Sequence, residues 1–300
     1  MAAGARSPEA LLRRIELRLA RRLDGLLEGA HRGRRAGAGS EEAITRAYEP
    51  GDDVRWVDWR LSARRGLPMV RVPQRDPLLT AWALLDCSPS MAFGSQVQTK
   101  LELAHEVLAA LAGLLRRRGD RLGIAATRGE GLDLVRPPTA DRRGLVAALG
   151  AVEALDPPEA GAGRTDLGRA VASLGRVARE RGLVVVLSDL PLQPGLERSL
   201  GALGRRHDLI VVEVRDPRER ELPAVGPLAL VDLETGRRVS VDTADRRFRE
   251  RFADAVSDAD ARRRAMVARA RARHVVVSTD ADWVLPLARA LASPGPRTRL

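Results

Sequence analysis

The sequence predicts an α/β protein built on a doubly wound, mostly parallel sheet, with an N-terminal helix before it and a β-containing appendage. Three observations carry that expectation. Short continuous runs of Val, Ile and Leu, such as "LVVVLS" at 183–188 and "LIVVEV" at 209–214, are what strands buried on both faces require. These runs alternate with amphipathic, arginine-faced stretches of helical period. Two of the apolar runs stop at acids, Asp86 and Asp189, and the carboxyl ends of strands are where open parallel sheets bind ligands.

The elements follow in chain order. Residues 8 to 28 place Leu11, Ile15, Leu19 and Leu23 four apart with arginines between them, an amphipathic helix, and "HRGRRAGAGS" after it reads as a linker. The expected organisation is a helical segment at 1–32, a turn-and-strand segment at 33–79 closing on a strand near 68–72, and an α/β domain at 80–300. Within that domain a strand ending at Leu85 precedes a helix over about Lys100 to Arg118, the strand "RLGIAAT" and an edge hairpin near "GLDLVRPP". Next come a helix from about Asp141 to Ala154, one opening near Thr165, the strand "LVVVLSD", a helix over Leu196 to Arg205, and "LIVVEV". Two short strands flank a Thr-Gly turn in "LALVDLETGRRVSVD", and an arginine-rich helix spans about Asp245 to Arg273. "HVVVSTD" is the last parallel strand, with Asp280 capping rather than ligating, and a helix over Trp283 to Ala292 closes the chain.

Composition narrows the function classes. A single cysteine, Cys87, leaves no disulfide framework and no cysteine zinc site, which fits a reducing, cytoplasmic compartment. The apolar runs are too short to span a bilayer, and "LLRRIELRLARRL" breaks every run with arginine, unlike a signal peptide; the same helix allows a peripheral position at a membrane. The net charge of +11 comes from arginine, with Lys100 the only lysine, and aromatics make up 3% of the chain. Nucleic-acid binding is therefore kept only as a second alternative, because stacking platforms are scarce.

The chemistry-bearing stretches each have a plain reading. "TAWALLDCSPSM" can be a strand ending in a polar turn, or Asp86, Ser88 and Ser90 can turn three oxygens toward one hard cation, the serines sharing a face as alternate residues of an extended segment. Thr165 and Asp166 can cap a helix, or Thr165 can present its hydroxyl from an exposed loop at the same sheet edge. In "GDDVRWVDW", Asp52, Asp53 and Asp58 read as a turn with arginine–carboxylate pairs to Arg55 or Arg64, and with Trp56 and Trp59 packing or docking, in preference to a second metal site. His31, His105, His207 and His274 are scattered and read as surface or satisfied residues.

"DCSPSM", "GRTDLGRA" and "LVVVLSDL", in that order, resemble the metal-ion-dependent adhesion site of von Willebrand factor type A domains. "YEPGDDVRWVDWRLSAR", "DCSPSMAFGS", "TKLELA", "RRGDRLGIAA" and "EVRDPRERELP" more closely resemble the bacterial family called domain of unknown function 58, over about residues 33 to 290. The resemblance implies that Asp86, Ser88, Ser90, Thr165 and Asp189 hold one divalent cation, Mg2+ or in its place Mn2+ or Ca2+. It places Asp52, Asp53, Arg55, Asp58, Trp59, Arg64 and Lys100 in family motifs of unknown role. It implies a von Willebrand-like, Rossmann-like fold and a non-enzymatic interaction domain whose protein partner offers an Asp or Glu to the metal. A MoxR-type AAA ATPase, acting in chaperone-like assembly or maturation of clients, is the implied partner. Longer relatives carry N-terminal membrane helices, which this sequence lacks. The alternative from another class is a metal-dependent phosphatase or hydrolase with Asp86 as nucleophile; Ser88 stands where such an enzyme places a second carboxylate, and no catalytic residue is assigned.

Overall fold

The described residues of the computed structural model are 9, 43–73, 78–95, 98–161 and 163–292. The amphipathic helix expected over residues 8 to 28, apart from Glu9, and the expected linker after it lie outside them. The chain divides into two compact units, Gly25–Leu78 and the remainder.

In the smaller unit, β1 (Ala43–Ala47) pairs antiparallel with β2 (Met69–Pro73), and α1 (Trp59–Arg65) lies between them in sequence. The sequence reading gave only β2 and turns here. The short helix forms because Asp58 accepts from the amides of Arg60 and Leu61 at 3.1 Å, and it stops at Gly66, whose φ of 68° is a left-handed conformation that favours glycine.

The larger unit is a six-stranded sheet ordered β10-β7-β6-β3-β4-β5. Its strands are β3 (Thr80–Asp86), β4 (Arg121–Thr127), β5 (Leu134–Thr139), β6 (Leu183–Ser188), β7 (Asp208–Arg215) and β10 (Arg273–Ser278). All neighbours run parallel except β5, which returns antiparallel along the edge of β4. Every residue of β3 and β6 is buried, which explains their continuous apolar sequence.

Two layers of helix cover the sheet. On one face, α4 (Leu167–Val177), α5 (Leu196–Arg206) and α6 (Arg246–Arg269) contribute Leu167, Val171, Leu174, Leu200, Leu203 and Met266 to a core with Trp82, Leu84, Val184, Val186 and Val211. The intervening strand residues, such as Ala83, Leu85 and Val185, face the other way because a strand alternates its faces. The connections on that side include α2 (Lys100–Arg118), opened by a capping box between Thr99 and Glu102, and α3 (Arg142–Glu153), capped by Asp141. The last helix, α7 (Val284–Ala292), follows Trp283, whose indole donates to Glu106 of α2 at 3.3 Å. Glycine is required where α5 meets the end of α6: a Cβ on Gly204 would lie 2.0 Å from the carbonyl oxygen of Ala270.

The arginine-rich helix ends at Arg269, four residues short of the expected Arg273. Arg271 turns left-handed at φ 57°, and Arg273 already belongs to β10. The "DLETG" hairpin joins β8 (Pro227–Val231) to β9 (Arg238–Asp242), a separate two-stranded ribbon.

This strand order places the functional edge. The chain leaves β3 for β4 and β5 on one side, then returns to lay β6 on the other side of β3. That reversal opens a crevice at the carboxyl ends of β3 and β6, where Asp86 and Asp189 emerge.

Candidate functional site

Asp86 is the last residue of β3 and is 1% exposed. Its Oδ1 accepts from the Ser88 amide at 2.9 Å, closing the turn out of the strand, and its Oδ2 accepts from the Ser188 hydroxyl at 2.6 Å. Burial, reinforced by the negative charge of Asp189, pushes the Asp86 carboxyl up to about 6 against these hydrogen bonds. Ser88 and Ser90 bring their hydroxyls within 3.1 Å of each other. An extended segment is not the cause, as the sequence reading had it: Pro89 starts a 3-10 turn over Pro89–Ala92, with Ser88 as its cap and Ser90 inside it.

Asp189 follows β6. Its Oδ2 accepts from the Lys100 ammonium at 2.8 Å, while its Oδ1 is buried and makes no hydrogen bond. Leu190, the next residue, is fully buried with φ 54°, a conformation uncommon for a side chain branched beyond Cβ and the kind of local strain found at functional turns. Lys100, the sole lysine, is 0% exposed and also donates to Glu219 at 2.5 Å. Burial alone would lower its pKa; Asp189 and Glu219 outweigh that and hold it above the ordinary lysine value. Burial raises Glu219 in turn, although its ion pair with Lys100 acts the other way.

Thr165 is 6% exposed, not on an exposed loop as expected, and its hydroxyl donates to the Arg128 carbonyl at 3.1 Å. Asp166 beside it caps α4 through the amide of Arg169 at 2.8 Å. Asp86, Ser88, Ser90, Thr165 and Asp189 all line one cavity of about 530 Å³. The same cavity is lined by Arg215, Arg220 and Arg263, which are engaged with the buried carboxylates of Glu213 and Asp260.

Whether these residues fit a divalent cation can be judged from the donors. The set consists of hard oxygens, one of them a buried carboxylate oxygen without a partner, and contains no His or Cys. Among the described residues no group of three or more His, Cys, Asp or Glu side chains could hold a metal, so the fit depends on the hydroxyls. Two carboxylates and three hydroxyls are donors of the kind a hard cation such as Mg2+ takes.

The acids of "GDDVRWVDW" are each used locally, inside Gly25–Leu78. Asp52 binds the Arg46 guanidinium through both oxygens, at 2.6 and 2.8 Å, a pair additional to the expected one with Arg55, which Asp53 makes. Asp53 pairs with Arg55 at 2.7 Å and caps the 3-10 turn there, and Asp58 caps α1. Trp59 and Trp56 stay 69% and 51% exposed, and Arg64 lies in the last turn of α1. Of the histidines, His274 pairs with Glu213 at 2.7 Å, whereas His105 Nε2 is buried without a hydrogen-bond partner, contrary to its reading as a surface or satisfied residue.

Four participants were missed by sequence reasoning. Ser188 holds Asp86; Glu219 shares Lys100; Asp216, fully buried, ties Ser95 and Thr279 to the end of β7. Glu234 reaches in from the β8–β9 turn to accept from the amides of Ser90 and Thr165, at 3.3 and 3.0 Å. Ser188 had a signal in its place in "LVVVLSDL", and Asp216 and Glu219 in theirs in "EVRDPRERELP" after a strand; Glu234 had none.

The fold and cavity together define an α/β protein of the doubly wound, mostly parallel class with an acid-and-hydroxyl cluster at its switch point. The chain belongs to the family described as "Protein of unknown function DUF58", whose model matches residues 44–262. Proteins of Mycobacterium tuberculosis and Mycobacterium bovis, both named as uncharacterized, are 38% identical over 291 residues, covering 95% of this chain and 89% of theirs. Among solved structures, BatB from Bacteroides thetaiotaomicron is similar at TM-score 0.46 and 16% identity, over 71% of this chain and 97% of its own. A von Willebrand factor type A protein from Catenulispora acidiphila is similar at TM-score 0.38 and 15% identity, over 75% and 42%. Among the described residues no helix is long and apolar enough to cross a membrane.

Proposed function

We propose that this chain is a non-enzymatic, divalent-cation-dependent protein-interaction module. Asp86, Ser88, Ser90, Thr165 and Asp189 hold one Mg2+, or Mn2+ or Ca2+ in its place, and an Asp or Glu of a protein partner joins them. The observation that carries this reading is Asp189 Oδ1, a buried carboxylate oxygen without a hydrogen bond beside the cavity that Asp86 and the three hydroxyls also line. Leaving a buried carboxylate oxygen unpaired costs on the order of 1–3 kcal/mol, and a cation there would recover it. When bound, the cation supplies an electrophilic position for an external carboxylate. Asp86 and Asp189 bring the formal charge, the hydroxyls bring neutral donors, and Lys100 fixes Asp189 through its other oxygen.

The partner proposed is a MoxR-type AAA ATPase, in assembly or maturation of client proteins in the cytoplasm; this part rests on motif resemblance. The hydrolase alternative needs a second acid close after Asp86 in the turn, and Ser88 and Ser90 stand there instead, their hydroxyls 3.1 Å apart.

Titration calorimetry with MgCl2 tests the site. Asp86→Asn and Asp189→Asn should each weaken binding at least about tenfold, about 1.4 kcal/mol, and Ser90→Ala by less. Equal Mg2+ affinity in wild type and Asp86→Asn removes the assignment. Co-purification of a MoxR-type ATPase in Mg2+ but not in EDTA is the expected result for the partner.

A further inference from the structure

Glu234 stands apart from the residues that sequence motifs single out. It sits at the tip of the β8–β9 hairpin, in a turn closed by Asp232, which accepts from the amides of Glu234 and Thr235 and from the Thr235 hydroxyl. Gly236 takes φ 70° to complete the turn. The turn is tied down at a second point, where the Gly161 amide donates to the Leu233 carbonyl at 3.0 Å. A Cβ on Gly161 would lie 3.4 Å from Gly236 Cα, so the two strands of chain approach closely.

From that platform one carboxylate bridges the two loops that carry the hydroxyls. Oε1 accepts from Ser90 and Oε2 from Thr165, residues 144 and 69 positions away in the chain. Glu234 lines the same cavity as Asp86 and Asp189. Two backbone amides aimed at one point form a carboxylate receptor, and each Glu234 oxygen keeps a lone pair free beyond its amide. An acid from outside that approached the hydroxyl-bearing loops would need the place Glu234 holds.

We propose that Glu234 is the chain's own occupant of the carboxylate position, a tethered competitor that a partner's Asp or Glu must displace. This rests on the metal-face reading above and adds its regulation: binding becomes an exchange of one carboxylate for another, and the hairpin swings out as the partner enters. A site filled internally most of the time binds outside ligand more weakly by the fraction of time it is open, so removing Glu234 raises partner affinity about tenfold or more.

The test follows hydrogen exchange at the Ser90 and Thr165 amides of the full chain, in EDTA and again in Mg2+. Glu234→Ala should exchange both amides faster than wild type. A labelled peptide copying residues 232–236 should restore their protection in Glu234→Ala, bind wild type about tenfold more weakly, and fail when its Glu is replaced by Gln. Unchanged exchange in Glu234→Ala, or a peptide without effect on it, overturns the inference. If calorimetric Mg2+ binding is lost in Asp86→Asn while exchange is indifferent to Glu234, the metal reading stands and only this inference falls. If Mg2+ binding ignores Asp86→Asn, both fall.

Discussion

Replacing Lys100 with Met separates the two roles of the buried ammonium. The side chain is 0% exposed and its Nζ lies 2.8 Å from Asp189 and 2.5 Å from Glu219, whose side chains are 16% and 39% exposed. Met has similar length and no charge, so the loss is electrostatic rather than a cavity. Removing one partner of a buried ion pair costs about 3–5 kcal/mol, and the partial exposure of both carboxylates to the cavity places this case near about 3 kcal/mol. The same substitution removes a positive charge from beside the proposed cation and leaves two carboxylate oxygens seeking one. Urea unfolding of Lys100→Met in EDTA should therefore show about 3 kcal/mol less stability than wild type, with an unchanged slope. In saturating Mg2+ part of that loss should return, because a cation that binds only the folded form stabilises by mass action. A Lys100→Met protein within about 0.5 kcal/mol of wild type in EDTA would refute the view that this ammonium is what makes the paired carboxylates tolerable in the interior.

Thr165→Val keeps the shape of a buried residue and removes a hydroxyl that donates to Arg128; calorimetry should show at least about tenfold weaker Mg2+ binding with only about 1 kcal/mol less stability. His105 is held neutral down to about 4 by burial, with Glu102 pulling the other way. Its folded pKa lies below the unfolded value near 6.5, so the unfolded chain binds the extra proton and stability falls as pH drops from about 6.5 toward 4. The loss is about 2 kcal/mol allowing for partial exposure, and His105→Gln should remove that share of the acid sensitivity in parallel urea titrations at pH 7 and pH 5. Gly204→Ala drives a Cβ to within 2.0 Å of the Ala270 carbonyl, and thermal unfolding should show a loss of about 1–3 kcal/mol as α5 shifts from the end of α6.

The sheet was legible because burial on both faces writes itself into unbroken apolar runs, and the helices because arginine-faced amphipathic stretches separate those runs. The candidate ligands were found because three motifs occur in order. The conformation around them was not legible. Proline at position 89 turned an apparent strand extension into a 3-10 turn, and Thr165 became buried because Arg128, on a loop distant in sequence, supplies an acceptor for it. β1 was missed since "AITRA" is too short to show a period, and α1 since seven residues hold barely two turns. Glu234 could not be read at all: a glutamate at a hairpin tip has the same local pattern whether it points to solvent or into a site 144 residues away. Local sequence specifies the turn, and only tertiary folding specifies what the turn reaches.

The charge arrangement gives a reason for that reach. Around the ends of β3 and β6 the carboxylates of Asp86, Asp189, Glu219 and Glu234 gather beside one ammonium, Lys100. The arginines Arg215 and Arg263, which line the same cavity, are engaged with Glu213 and Asp260. Like charges held this close in a partly desolvated crevice oppose one another, which raises Asp86 by way of Asp189. Four acids against Lys100 and Arg164, which also lines the cavity, leave a negative excess that another cation would offset, and the amides of Ser90 and Thr165 offset only part of it at Glu234. The carboxylate least bound by the core is the one on the hairpin, since Asp86, Asp189 and Glu219 are anchored by Ser188 or Lys100. Glu234 is thus the acid that can leave when another arrives, and the architecture puts the exchangeable group on the exposed ribbon and the permanent ones at or just beyond the carboxyl ends of β3, β6 and β7.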